Sequence, residues 1–143
     1  MILVDANVLL HAYHPQSEHH EPCRLWIEEN FCAPSPIGLP WITIWAFLRI
    51  STNPRAFEKP LTMKEAATMA SSWFDVPAVR AVVPGERYWE ILSKLLLEAQ
   101  VSGPLVTDAA LAALAIEHGA SVCTTDRDFA RFPEVQIVDP SRG

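Results

Sequence analysis

The sequence predicts an α/β fold in which helices cover both faces of a central parallel sheet of four or five short strands. Three observations point to it. Short apolar runs suited to strands buried on both sides, beginning with Ile2-Leu3-Val4, alternate with longer segments whose apolar residues recur at helical spacing. That alternation is the pattern of parallel strands joined by helical crossovers. At 143 residues the chain suits one domain, 1–143, long enough to bury roughly two-thirds of its unfolded surface.

The elements follow in order. After Ile2–Val4, residues Asn7 to Tyr13 read as a short helix that stops near His14-Pro15, because proline disfavours a helical residue before it. Pro22 fits the first turn of a second helix, in which Cys23, Trp26, Ile27 and Phe31 share one face. Ala33-Pro34-Ser35-Pro36 is a rigid connector. Pro40 opens the segment Trp41 to Ile50, apolar nearly all the way round, so that it is either wholly internal or shared with a partner surface. Thr62 and Glu65 have capping-box spacing and start a helix through Ala66, Met69, Ala70 and Trp73. Val79 to Val83 reads as a strand, and Pro84-Gly85-Glu86 starts a helix that buries Tyr88, Ile91, Leu92, Leu95 and Ala99. Beyond the Ser102-Gly103-Pro104 breaker, Thr107 is expected to cap a helix from Asp108 to His118, closed by Gly119. Ala120 to Thr124 is a strand, Arg127 to Arg131 a short helix, and Val135 to Val138 a last strand.

Bulk properties exclude several classes of function. No apolar run approaches the roughly 18 residues of a membrane span, and no basic-then-apolar leader opens the chain. A cytoplasmic protein without a membrane partner is expected. Cys23, Cys32 and Cys123 are odd in number and lack C-x-x-C spacing, so buried, reduced thiols are expected. With 17 Asp and Glu against 11 Lys and Arg, the formal net charge is −6, which argues against a broad basic surface for nucleic acid. A site whose charge is reversed locally by cations would still accept phosphate.

Such a site is suggested by Asp5, Asp108 and Asp126. Asp5 and Asp126 each lie just past a strand, where open parallel sheets form their ligand crevice, and Asp108 lies in the first turn of a helix. Each taken singly reads as a helix cap. Taken together they repel by roughly 4 kcal/mol per pair at about 4 Å and an effective dielectric near 20, which calls for a cation. Oxygen-only ligands favour magnesium or manganese over zinc. A carboxylate-held magnesium suits phosphoryl chemistry.

Four stretches also carry a family resemblance: Asp5-Ala6-Asn7-Val8-Leu9-Leu10, Ala46 to Pro54, Thr107 to Ala115, and Thr124-Thr125-Asp126-Arg127-Asp128-Phe129. Together, and in this order, they resemble PIN domains, and more narrowly the VapC-type toxins of bacterial toxin-antitoxin pairs. The resemblance implies a PIN-like three-layer sandwich and a magnesium-dependent endoribonuclease, with manganese able to substitute. It further implies a homodimer and an antitoxin protein that lays a segment into the toxin's groove. Matched to the motifs, Asp5, Asp108 and Asp126 would be catalytic and hold the metal. Asp128 is either a fourth acid or the far half of a Thr125-x-x-Asp128 capping box, and Asn7 and Thr125 look like hydrogen-bond supports for the ligands.

Many PIN domains place a glutamate in the third helix, three residues before the arginine matching Arg49; here that position is Ala46. One well-held ion is therefore expected. Arg49 faces either substrate phosphate or antitoxin, or an internal ion pair. Arg127 and Arg131 are candidates for guiding RNA, with plain surface solvation as the alternative. A catalytically silent PIN-fold binding module is the competing reading, motivated by Ala46 and the acidic balance.

Overall fold

The computed structural model describes residues 1–142 and builds them around a five-stranded sheet of order β3-β2-β1-β4-β5, parallel throughout. In chain order the elements are β1 (Ile2–Val4), α1 (Ala6–Tyr13), α2 (His20–Phe31), β2 (Ile37–Pro40), α3 (Trp41–Ser51), α4 (Met63–Phe74), β3 (Val79–Val82), α5 (Tyr88–Glu98), α6 (Leu105–His118), β4 (Ser121–Cys123) and β5 (Ile137–Val138). Short 3-10 turns follow β4 at Arg127–Arg131 and β5 at Pro140–Arg142. Among the described residues, no helix is long and apolar enough to cross a membrane.

Side chains that alternate along each strand divide the core into two layers. Leu3, Val82 and Val122 face one way and pack with Leu95 of α5 and Leu111 and Leu114 of α6. Val4, Val79 and Cys123 face the other way, among Val8, Leu9, Phe31, Phe47 and Ala66 from the first four helices. In β2, Ile37 and Leu39 join this second layer. Gly38 lies between them, and a Cβ there would collide with Leu3 Cδ2 and Val82 Cγ2. The sheet's centre is therefore closed by neighbours reaching over a residue with no side chain.

β2 is the strand that sequence reading leaves unassigned, between the Ala33–Pro36 connector and the Pro40 helix start. Gly38 and Pro40 are both poor strand formers, and the strand forms because all four of its residues are buried between β1 and β3. Two further expectations need correction. Pro104 is already helical, at φ −59° and ψ −25°, so α6 begins at Leu105 and Thr107 lies inside its first turn instead of capping it. Cys23 and Cys123 are buried, but Cys32 is exposed past the end of α2.

Helix α3 is not wholly internal. Thr43, Ile44, Phe47 and Ser51 are buried, whereas Trp41, Trp45 and Arg49 form an exposed stripe at a spacing of four, with Trp45 66% exposed. The expected capping box of α4 is formed: Glu65 N–H donates to Thr62 Oγ1 at 3.1 Å and Thr62 N–H to Glu65 Oε1 at 3.0 Å.

The Gly38 packing is directly testable. Gly38→Ala is expected to destabilise the protein by about 1–3 kcal/mol through overpacking, measured as a lowered midpoint in urea at unchanged m-value.

Candidate functional site

β1 occupies the place where the strand order reverses, with β2 and β3 on one side and β4 and β5 on the other. In open parallel sheets the crevice outside the carboxyl ends at such a point is the usual ligand site. Val4 pairs with Cys123, and the Asp5 N–H continues the ladder by donating to the Cys123 carbonyl at 2.9 Å. The chain then leaves both strands within a residue, which brings Asp5, Thr124 and Asp126 to one edge, as expected for Asp5 and Asp126.

A hydroxyl that sequence reading did not single out ties this edge together. Thr124 Oγ1 donates to Asp5 Oδ2 at 2.8 Å, and accepts from Asn7 Nδ2 at 3.1 Å and from the Asp126 N–H at 3.0 Å. One donor and two acceptor positions are all a hydroxyl has. Both Nδ2 hydrogens of Asn7 are used as well: the second goes to Asp5 Oδ2 at 3.1 Å, and its Oδ1 accepts the Thr125 N–H at 3.3 Å. Asn7 thus bonds both Asp5 and the strand end at Thr124. Thr125 contributes its backbone, and the supporting hydroxyl belongs to Thr124. The signal in the sequence was the spacing, a Thr at a buried strand end two residues before an acid, which allows a side-chain turn to the N–H at i+2.

The carboxylates divide into a cluster and a support. Asp108, Asp126 and Asp128 each offer an oxygen, all within 4.8 Å of one another. Asp126 caps the following turn by accepting the Asp128 N–H at 2.9 Å. The Thr125 N–H is committed to Asn7, so no Thr125–Asp128 capping box forms and the Asp128 carboxylate is left for the cluster. Asp5 lies behind these three and shares a small cavity with Asp108, Thr43 and Ala46. Its Oδ2 takes two hydrogen bonds, whereas Oδ1 takes only the Ala6 N–H at 2.8 Å and keeps a lone pair. Ala46 puts a methyl group into that cavity wall where an acid would otherwise stand.

The candidate basic residues are dispersed. Arg49 is exposed in the last turn of α3, and Arg127 and Arg131 are exposed on the turn after β4. None of them has a carboxylate within 4.0 Å among the described residues. Arg127 shares with Asp126 an open cleft that Arg131 does not line.

The family model of the PIN domain matches residues 2–135. The chain belongs to the PIN domain family. This PIN domain is 39% identical over 140 residues to ribonuclease VapC37 of Mycobacterium tuberculosis, a match covering 98% of the chain and 97% of that protein. Its fold is shared with VapBC-1 of nontypeable Haemophilus influenzae, at TM-score 0.72 and 15% identity, with 99% of each chain covered. It is shared also with a toxin-antitoxin complex from Klebsiella pneumoniae, at TM-score 0.65 and 17% identity, with 98% of each chain covered.

The electrostatics of this PIN domain's crevice are unbalanced. Burial pushes the Asp108 carboxyl up to about 6, and the negative charges of Asp126, Asp5 and Asp128 push the same way. Burial also raises Asp5, with the hydrogen bonds from Thr124 and Ala6 opposing it and Asp126 adding to it. Among the described residues, no Lys, Arg or His lies within 4.0 Å of any of the four carboxylates.

The sign of the linkage follows. An unfolded Asp108 loses its proton near 3.8 and the folded one near 6, so this group's contribution to stability falls as pH rises from about 4 to 6 and stays low above that. Asp108→Asn is expected to stabilise the cation-free protein at pH 7 by roughly 1 kcal/mol after solvent screening, and hardly at all at pH 4; thermal denaturation at both pH values measures this. Thr124→Val, which keeps the shape and strands three hydrogen-bond partners, is expected to cost about 1–3 kcal/mol, again read by denaturation.

Proposed function

We propose that this PIN domain is a magnesium-dependent endoribonuclease, with manganese able to substitute, acting as the toxin of a toxin-antitoxin pair. We take residues 1–143 as its single domain and a homodimer as its working form. The observation that carries the reading is the convergence of Asp108, Asp126 and Asp128 on one point, with no Lys, Arg or His among the described residues within 4.0 Å of them. The full-length likeness to ribonuclease VapC37 supports RNA as the substrate.

The residues present fit a hard divalent cation. The donors are all carboxylate oxygens, they face one another closely enough to share an ion, and the neighbouring Asp126, Asp5 and Asp128 charges add to burial in raising the proton affinity of Asp108. Asp108, Asp126 and Asp128 would hold it, with Asp5 joining through Oδ1. When bound, such a cation neutralises phosphate charge and makes a water molecule a stronger nucleophile near neutral pH.

The chain's own residues do the rest. Thr124 and Asn7 hold the Asp5 carboxylate by its Oδ2, which fixes the direction of Oδ1. The Thr124 hydroxyl also holds the Asp126 backbone, so that two acids from different strands move as one body. Arg127, beside Asp126, supplies positive charge to an incoming RNA backbone, and Arg49 and Arg131 add to it from the rim. Ala46 leaves the Asp5–Asp108 cavity with an apolar wall, which supports a single ion. The exposed Trp41–Trp45 stripe supports docking of a partner segment, and the fold shared with a toxin-antitoxin complex supports an antitoxin in that role.

Ala46 also favours a second reading, a PIN-fold binding module without catalysis. Cleavage of total RNA by the purified, partner-free protein separates the two. With magnesium or manganese the wild type is expected to cut RNA and with chelator to leave it whole. Asp108→Asn and Asp126→Asn should each lose at least about a hundredfold in rate, since metal-derived charge stabilisation supplies several kcal/mol, with circular dichroism unchanged. RNA that stays intact in both metals would leave the binding-module reading in possession.

A further inference from the structure

Beside the carboxylate cluster, and outside the role given to it above, lies the largest of the described clefts. It has a volume of about 550 Å³ and opens along the carboxyl ends of β4 and β5, between the two 3-10 turns. Part of its lining is apolar, from Phe129, Ala130 and Ile137, of which Phe129 is buried and Ile137 is 36% exposed. Arg127 and Arg142 supply its positive charge, and Asp126 and Asp139 also line it.

The two arginines are held differently. Arg127 has no carboxylate within 4.0 Å among the described residues, so its charge is available to a ligand. Arg142 is tethered through Nε to Asp139 Oδ2 at 3.5 Å. Asp139 is itself fixed, its Oδ1 accepting both the N–H and the hydroxyl of Ser141 at 2.9 and 2.6 Å. A guanidinium anchored by an ion pair yet largely exposed and an unpaired one, in one cleft with apolar side chains, form a recognition surface for a group that is flat and apolar on its faces and negatively charged at its edge.

We infer that this cleft is the subsite for one unpaired nucleotide of the RNA, next to the phosphate that lies at the carboxylates. This rests on the ribonuclease reading. The base lies against Ile137 and Ala130 with a guanidinium over its face, and its phosphate takes the charge of Arg127 and Arg142. The volume is that of a small-ligand site, and a duplex would not enter, because the base must leave its stack to reach the wall. Arg142, Ile137 and Ala130 thereby select unpaired over paired RNA, and Arg142 joins the arginines already assigned to the RNA backbone.

The test needs no cleavage. Asp5→Asn protein and a fluorescein-labelled single-stranded RNA heptamer of mixed sequence give binding constants as a function of salt. With Arg127→Ala and Arg142→Ala added, the slope of log K against log salt is expected to fall by about 1.4, each phosphate contact on a single strand contributing about 0.7; the two Lys replacements should retain the slope. The Ile137 methyl resonances should shift with the heptamer, and should not shift with inorganic phosphate or an RNA duplex, and Ala130→Trp, which fills the cleft, should abolish the shift. Equal slopes together with an unmoved Ile137 overturn the inference. So does an Ile137 that responds only to a co-purified partner protein, since the cleft would then be the partner's. A chain that binds as described and never cuts RNA would fail as a ribonuclease and keep the subsite. A chain that cuts RNA at the same positions with or without Ala130→Trp would keep the activity and lose the subsite.

Discussion

Negative charge gathered at one end of a parallel sheet, with no Lys, Arg or His among the described residues within 4.0 Å to pair it, is the constraint on which the rest of this molecule depends. Four carboxylates from three separate stretches of chain are brought to the carboxyl ends of β1 and β4 and to the start of α6. Their repulsion works against the fold, so the elements that carry them have to be stiff. Both strands are among the most deeply buried parts of the chain, with Leu3, Val4, Val122 and Cys123 fully inaccessible. The Asp5 N–H extends the ladder one bond past the last paired residues. The Thr124 hydroxyl then spends its donor and both acceptor positions on the same few atoms. A site of this kind is positioned by rigid supports below it and by saturated polar groups around it, the two conditions that hold a reactive group to sub-ångström tolerance.

The two core layers share that load unequally. The layer under α5 and α6 includes Ala109, Ala112, Ala113 and Ala115, which let α6 lie close against the strands, and its bulk comes from Phe129 and Phe132 after β4. The layer under the first four helices is filled by Phe31 and Phe47, with the rings of Tyr13 and Trp73 meeting Phe47 edge-to-face at separations of 5.8 and 4.7 Å. The small side chains of α6 set it, and with it Asp108, close above the sheet edge.

Much of this was legible in the residue order. The alternation of apolar runs with helical spacing revealed the parallel sheet, and the placing of Asp5 and Asp126 just past strands located their common edge, because these are local patterns repeated along the chain. What the order did not disclose depended on contacts between distant segments. β2 contains Gly38 and Pro40, and only its burial between two neighbours makes it a strand. Thr125 resembled a support through its place in a motif, yet the neighbouring hydroxyl of Thr124 points at Asp5, across 119 positions of sequence. The part of Asp128 was ambiguous for the same reason: whether the Thr125 N–H went to Asp128 or elsewhere was decided by Asn7, in the first turn of α1. Periodicity carries the fold, and the hydrogen-bond partners of individual polar atoms remain a property of the assembled structure.

Helix α6 is gripped at both ends. Near its start stands Asp108; near its finish the Glu117 carboxylate accepts the N–H groups of Gly85 and Arg87 at 2.7 and 3.0 Å, pinning the helix to the turn before α5. The nine intervening steps span about 14 Å and fix the angle between the two acids about the helix axis. A residue inserted between them would turn Asp108 by about 100° away from the crevice while leaving Glu117 in place. Over that stretch the number of residues is bound as tightly as the small buried side chains that let the helix lie close, so that in the descent of such a protein an insertion there costs the site as surely as a bulky substitution costs the packing.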